Sequence, residues 1–132
     1  MRKKRIGILT SGGDCGGLNA AIRSIFFRAK NKYNMDVFGI KDGTAGLMRR
    51  PVSTVQLDYK TFEGYLLRQG GTFLGSTNKG NPFKFPIKDG KFEDKSKFII
   101  AGYHSMKLDG LIIIGGDGSM QILQKLAKKG DM

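Results

Sequence analysis

The chain has 132 residues, of which 39% are hydrophobic and 26% are charged, a composition typical of one soluble globular domain. It contains a single cysteine, Cys15, which excludes an internal disulfide, and no apolar run approaches the ~20 residues that a membrane-spanning helix needs. The net charge of +12 suits an anionic partner (a nucleotide, a sugar phosphate or a nucleic acid), although a solvated basic surface would give the same value. We therefore expect a cytoplasmic protein without a membrane segment.

Three short apolar runs predict the strands of a sheet. They cover residues 5–10, 36–40 and 108–114. The last run, Leu-Asp-Gly-Leu-Ile-Ile-Ile, is the most apolar, and we expect it to be a central parallel strand, since such strands are buried on both faces.

Helices are predicted between these strands because apolar residues recur there at helical spacing. The predicted helices cover residues 19–32, 58–68, 93–106 and 119–129. Asn19 is predicted as the N-cap of the first helix, and the polar stretch 78–97 as a surface loop that can hold a small hairpin. The alternation predicts one α/β domain over residues 1–132, with a three-layer αβα (Rossmann-like) arrangement around a parallel sheet.

Two segments share one design, in which an apolar strand is followed by Gly-Gly-Asp and then by a helix. The shared tripeptides are Gly12-Gly13-Asp14 and Gly115-Gly116-Asp117. In a parallel sheet both turns would lie at the carboxyl ends of strands, where ligands bind, with the positive end of each helix directed at a phosphate. Neither turn continues into the Gly-Lys-Ser/Thr of a Walker motif.

An aspartate beside a phosphate site requires an explanation, because a carboxylate repels a bare phosphate. Mg²⁺ between the two groups removes the conflict, since this ion prefers one or two carboxylates together with phosphate oxygens. Asp117 is therefore a candidate Mg²⁺ ligand, and its alternative role is to cap the following helix.

Four segments of the chain together resemble the phosphofructokinase family, in the same order and with the same spacing. They are Thr-Ser-Gly-Gly-Asp-Cys-Gly-Gly-Leu-Asn-Ala-Ala-Ile-Arg (10–23), Asp-Gly-Thr-Ala-Gly-Leu (42–47), Gly-Gly-Thr-Phe-Leu-Gly-Ser (70–76) and Ile-Gly-Gly-Asp-Gly-Ser (114–119). The resemblance implies the N-terminal, nucleotide-binding part of the phosphofructokinase fold. It also implies phosphoryl transfer from ATP, or in some branches from pyrophosphate, to the 1-hydroxyl of fructose 6-phosphate.

The resemblance implies a role for several residues of this chain. Gly13 would contact the donor phosphates through its backbone, and Asn78 and Lys79 would lie near the ATP phosphates. The nucleotide would be cradled by Gly116, Asp117, Gly118 and Ser119, with Asp117 on Mg²⁺. Arg23 would fall near an effector site at a subunit interface, or else be an ordinary solvated helix residue.

Two features of the sequence bear on whether the donor is ATP or pyrophosphate, and they favour different donors. Gly118 looks like the ATP-using type, because pyrophosphate users of the family carry aspartate at this position. The first turn, Asp-Cys-Gly-Gly-Leu-Asn, is more similar to the pyrophosphate-using and mixed branches, with Gly16 where proline is usual. ATP is the favoured donor and pyrophosphate the alternative. A non-catalytic nucleotide-binding or regulatory module is a further alternative, from another functional class.

The family's catalytic base is an aspartate in a Thr-Ile-Asp-x-Asp block, which is expected downstream of Met132 because residues 1–132 do not contain it. We therefore expect no catalytic base in this chain and no turnover by it alone. Fructose 6-phosphate is expected to bind the remaining portion of a full-length homo-oligomer. Neither a nucleic acid nor a membrane is an expected partner.

Overall fold

The structure, a computed structural model, describes residues 3–11, 18–63, 73–75, 85–86, 90–115 and 117–130. Its strands are β1 (Arg5–Thr10), β2 (Asp36–Ile40), β3 (Thr54–Gln56), β4 (Phe85–Pro86), β5 (Phe92–Glu93) and β6 (Gly110–Ile114). Its α-helices are α1 (Leu18–Tyr33), α2 (Thr44–Met48), α3 (Ser96–Ser105) and α4 (Asp117–Gly130), and a 3₁₀ helix spans Tyr59–Phe62.

The main sheet has four strands in the order β3-β2-β1-β6. β1 is parallel to β2 on one side and to β6 on the other, whereas β3 is antiparallel to β2. The chain therefore leaves β1 through α1 to build the sheet in one direction and later returns to add β6 in the other direction. This arrangement makes the gap between the carboxyl ends of β1 and β6 the topological switch point of the sheet.

The main sheet carries helices on both faces, because successive residues of a strand point in opposite directions. Ile8 packs with Ile22 and Phe26 of α1 on one face. Its neighbour Leu9 belongs to the core on the other face, where Ile99 of α3 and Leu126 of α4 also lie. Each such fully buried side chain contributes about 1.5–3 kcal/mol through removal of apolar surface from water. The three-layer αβα prediction is confirmed, with β3 as an antiparallel addition to the parallel strands.

The predicted positions of β1, α1 and β2 are confirmed to within one residue. The buried residues of α1 recur three or four positions apart, which places them on one face of the helix. They are Leu18, Asn19, Ile22, Phe26 and Ala29. The predicted N-cap was wrong: Asn19 lies inside α1, and its side chain bonds to a distant backbone amide instead.

Two predicted helices differ from the structure. Within the helix predicted over 58–68, the described residues form the 3₁₀ turn Tyr59–Phe62, which begins at a capping box of Asp58 and Thr61 and ends at the extended Glu63. Residues 64–68 lie outside the described part. The helix predicted over 93–106 begins at Ser96, since Phe92–Glu93 pairs antiparallel with Phe85–Pro86. This pair is the small hairpin expected within 78–97.

The apolar strand predicted at 108–114 is not central in the sheet that the described residues form, so that prediction was wrong. The strand begins at Gly110, and β6 is an edge strand, because β1 occupies the centre. Ile112 is consequently 36% exposed. The short α2 and β3, which are Thr44–Met48 and Thr54–Gln56, were not predicted.

Candidate nucleotide-binding site

The two Gly-Gly-Asp turns start side by side at the carboxyl edge of the sheet. Thr10, the last residue of β1, lies opposite Ile114, the last residue of β6. The pairing extends one residue further, because the Ser11 N–H donates to the carbonyl oxygen of Ile114 at 2.9 Å. The strands that precede the two Gly-Gly-Asp segments therefore end side by side at the carboxyl edge of the sheet, where ligands of such sheets bind.

The second turn leads directly into α4. This helix begins at Asp117, two residues earlier than predicted, so Asp117, Gly118 and Ser119 belong to its first turn. The first four N–H groups of a helix have no partner within the helix, and the helix dipole adds partial positive charge at the same end. Asp117 is the first residue of α4, and both of its suggested roles, Mg²⁺ ligand and helix cap, stay predictions.

The segment 73–75, from the third block of the resemblance, is held against the same edge by hydrogen bonds. Thr10 Oγ1 donates to the carbonyl oxygen of Gly75 at 2.9 Å, and the Phe73 N–H donates to Asn19 Oδ1 at 2.8 Å. The Asp42 N–H donates to the carbonyl oxygen of Leu74 at 2.9 Å. The first three blocks of the resemblance therefore meet at this segment, and the fourth joins them through the pairing of β1 with β6.

Gly75 is required where it lies. Its φ is +78°, and a Cβ atom at this position would lie 2.6 Å from Asp42 Oδ1. Asp42 has a φ of 58°, and its Oδ2 accepts a hydrogen bond of 2.9 Å from Arg49. The segment around Asp42 therefore packs against the segment around Gly75 only when residue 75 is a glycine.

Most residues with a predicted phosphate-binding role cannot be placed by the structure. Gly13, Asn78, Lys79 and Gly116 lie outside the described residues. Asp117, Gly118 and Ser119 are placed by their backbone at the start of α4. Arg23 is an exposed residue of α1 whose guanidinium lies 4.5 Å from the centre of the Phe27 ring, and its effector role stays a prediction.

Thr10, Asn19 and Asp42 organise the edge, and the sequence reasoning did not identify them as such. A signal was available for Asn19, which is a polar residue three and seven positions before Ile22 and Phe26 on the apolar face of α1. A buried polar side chain on such a face needs a hydrogen-bond partner. Neither the partner nor its distance along the chain could be read from that signal.

The Mg²⁺ site at this edge stays a prediction. Among the residues that the structure describes, no three His, Cys, Asp or Glu side chains form a group that could hold a metal ion. Mg²⁺ needs only one or two carboxylates, with phosphate oxygens and water completing its shell. Asp117, the first residue of α4, is the carboxylate that the sequence predicts for this role.

Among the described residues, the carboxylate with the most strongly shifted pKa is that of Asp94, which lies outside this edge, between the start of α3 and the last turn of α4. Asp94 Oδ1 accepts hydrogen bonds from Ser96 Oγ at 2.6 Å and from the Ser96 N–H at 2.9 Å, while Lys129 Nζ lies 3.2 Å from Oδ2. The bonds from Ser96, followed by the charge of Lys129, lower the pKa of Asp94 to about 2. The bonds to Ser96 fix the start of α3, and the contact with Lys129 joins that start to the end of α4, so we assign Asp94 a structural role.

An apolar groove of about 500 Å³ lies between α1 and the exposed face of β6. Ile6, Ile25, Tyr33 and Ile112 contribute to its lining. Ile6 and Tyr33 belong to the beginning of β1 and the end of α1, away from Thr10 and the two turns. The groove is therefore distinct from the candidate site.

In the described part of the chain, no helix is both long enough and apolar enough to cross a membrane.

Comparisons with known proteins agree with this geometry. The family model for phosphofructokinase matches residues 5–132. The chain is 54% identical over 127 residues to ATP-dependent 6-phosphofructokinase 1 of Synechocystis sp., covering 96% of this chain and 35% of the relative. It is 43% identical over 130 residues to the pyrophosphate–fructose 6-phosphate 1-phosphotransferase of Dictyoglomus thermophilum, covering 98% of this chain and 34% of the relative.

A solved structure has the same fold. Phosphofructokinase from Pichia pastoris superposes with a TM-score of 0.78 at 30% identity, covering 98% of this chain and 13% of that protein. The chain thus spans only about a third of the length of the curated relatives it matches. With the family model matching nearly every residue, the chain belongs to the phosphofructokinase family.

Proposed function

We propose that this chain binds the phosphoryl donor of an ATP-dependent 6-phosphofructokinase. The single observation that carries the proposal is the position of Thr10 opposite Ile114, which starts both Gly-Gly-Asp turns at one crevice, with α4 beginning at Asp117 just beyond. Backbone N–H groups at a helix start are an established way to bind phosphate without a dedicated cation.

The proposed roles follow the order of the chain. Gly13 binds the donor phosphates through its backbone, and Asn78 and Lys79 supply a polar and a positive side chain near them. Gly116, Gly118 and Ser119 cradle the nucleotide at the start of α4. Asp117 holds Mg²⁺, which when bound offsets the charge of the phosphate oxygens. These residues bind and orient the donor.

The reaction itself needs groups outside residues 1–132. The bond between the γ-phosphorus and its bridging oxygen breaks as a bond forms to the 1-hydroxyl oxygen of fructose 6-phosphate, giving ADP and fructose 1,6-bisphosphate, a step of glycolysis. The hydroxyl proton passes to a base, which the resemblance assigns to a Thr-Ile-Asp-x-Asp block that this sequence does not contain. In the full-length protein, proposed to be a cytoplasmic homo-oligomer, the remaining portion would bind the sugar phosphate.

Pyrophosphate is the second candidate donor. The similarity to a relative named pyrophosphate–fructose 6-phosphate 1-phosphotransferase supports it, as does the Asp-Cys-Gly-Gly-Leu-Asn turn. Gly118 favours ATP, because a side chain at the start of α4 would take up space beside the nucleotide. The two donors differ in size, so a direct comparison of their affinities separates them.

Calorimetric titration of the 132-residue chain tests the proposal. We expect saturable binding of Mg-ATP, weaker binding of Mg-pyrophosphate, and no release of fructose 1,6-bisphosphate in a coupled assay with fructose 6-phosphate. Binding of duplex DNA at two salt concentrations is the control for the net charge of +12. Tight, strongly salt-dependent DNA binding without Mg-ATP binding would contradict the proposal. A full-length protein that binds Mg-ATP but has no activity would favour the regulatory module.

A further inference from the structure

Two buried side chains on either side of the first Gly-Gly-Asp turn bond to the same distant segment. Thr10 precedes the turn and Asn19 follows it, and each is only 1% exposed. Thr10 donates to the carbonyl oxygen of Gly75 at 2.9 Å, and Asn19 accepts from the Phe73 N–H at 2.8 Å. The bonded residues are 65 and 54 positions apart in the chain, so the two bonds connect segments that are distant in the sequence.

The segment 73–75 is itself firmly packed. Leu74 is buried, and its carbonyl oxygen accepts a hydrogen bond from the Asp42 N–H at 2.9 Å. The Leu74 side chain lies against Gly39 of β2 so closely that a Cβ at Gly39 would be 2.4 Å from Leu74 Cδ2. A displacement of this segment would therefore cost buried apolar contacts as well as hydrogen bonds.

We propose that Thr10 and Asn19 are positioning residues that hold the end of β1 and the start of α1 against the segment 73–75 as one unit. The inference rests on the proposed function, because the stretch that continues from Gly75 reaches Asn78 and Lys79 and the turn contains Gly13. A buried polar group that loses its partner is costly, so each bond resists separation of the two parts. Donor affinity thus depends on the Thr10 hydroxyl through the placement of other residues.

The test compares Thr10→Val, which removes the hydroxyl at nearly constant shape, with Thr10→Ser, which retains it. We expect Thr10→Val to weaken Mg-ATP binding about five- to tenfold, the effect of one lost hydrogen bond, and Thr10→Ser to restore most of the affinity. Equal affinities of Thr10→Val and the unmodified chain would overturn the inference.

Ser105→Ala is the control. Ser105 Oγ also donates to a backbone carbonyl oxygen at 2.9 Å, that of Gly102 in α3. Met106, the next residue, bonds to Arg5 at the start of β1, at the opposite end of the strand from Thr10. The free energy of unfolding is measured for each variant by urea titration. Ser105→Ala should retain Mg-ATP affinity whatever its stability, and an equal loss of affinity in Ser105→Ala and Thr10→Val would contradict a positioning role of Thr10.

A second measurement needs no nucleotide. Amide hydrogen exchange at residues 73–75 should be faster in Thr10→Val and in Asn19→Leu than in the unmodified chain, and unchanged in Ser105→Ala. Unchanged exchange at these amides in both site variants would overturn the inference. If the unmodified chain bound no Mg-ATP, the proposed function would fail, and hydrogen exchange would decide on the positioning role by itself.

Discussion

Thr10 and Ile114 lie opposite each other at the last position of two adjacent parallel strands, and the Ile114 carbonyl oxygen accepts the N–H of Ser11 at 2.9 Å. Each of the two residues is followed within a few positions by Gly-Gly-Asp. Because a parallel pair leaves both carboxyl ends at one edge, both Gly-Gly-Asp segments begin at that edge. The account of donor binding depends on this relationship.

Gly118→Asp is expected to weaken Mg-ATP binding about tenfold and Mg-pyrophosphate binding less. The added carboxylate lies in the first turn of α4, where it repels the donor and fills space beside the nucleotide. Gln124→Asp is the control, since it adds the same charge to an exposed position farther along α4. Calorimetry gives the affinities, and equal effects of the two changes would argue against a donor-selecting role of Gly118.

Gly75→Ala is expected to destabilise the fold by about 2 kcal/mol. Part of this cost comes from the positive φ of 78°, and the rest from displacing Asp42, whose Oδ1 is 2.6 Å from the new Cβ, away from Arg49. Gly90→Ala isolates the first part, because Gly90 has a φ of +70° and nothing within 4 Å of its Cβ position. Urea unfolding should give about 1 kcal/mol for Gly90→Ala, and identical losses would show that Asp42 exerts no constraint.

The sequence predicted β1, α1 and β2 well because their apolar residues are periodic and are buried by neighbouring elements of the same βαβ unit. The edge position of β6 could not be predicted from its own residues, since Leu-Ile-Ile-Ile is equally suitable for a central strand, and the position depends on where β1 lies in the sheet. Thr10 and Asn19 were missed as anchors because their partners are 65 and 54 residues away.

Gly102→Ala is expected to lower the free energy of unfolding, opposite to the usual effect of this substitution in a helix. Alanine in place of glycine within a helix is ordinarily stabilising by about 1 kcal/mol. At Gly102, in α3, the new Cβ would lie 2.3 Å from the backbone carbonyl oxygen of Leu47 in α2, and a backbone atom cannot yield as a flexible side chain can. We therefore expect a loss of about 1–3 kcal/mol in urea unfolding. The neighbouring exposed Ala101, changed to glycine, should lose about 1 kcal/mol; a stabilised Gly102→Ala would refute the close approach of α2 and α3.

The charge of Asp94 should give the fold a distinct acid dependence. Its pKa is lowered from 3.8 to about 2, so its contribution to stability is complete above pH 3.8 and is lost as the pH falls towards 2. Asp94→Asn should be less stable near pH 5 and should lose less stability than the unmodified chain between pH 4 and 2. Ser96→Ala removes the side-chain bond to Asp94 Oδ1. Its loss of stability between pH 4 and 2 should therefore lie between that of Asp94→Asn and that of the unmodified chain. Parallel urea midpoints for all three proteins over this interval would contradict the assignment.

Backbone amide NMR during a Mg-ATP titration of the 132-residue chain tests the shared crevice most directly. We predict that the amides of Gly12 and Gly13 in the first turn and those of Asp117, Gly118 and Ser119 in the second shift together and saturate with a single Kd. Amides of the apolar groove, such as those of Tyr33 and Ile112, should not move. Shifts confined to one turn, or two turns with different Kd values, would contradict a single donor site formed by both.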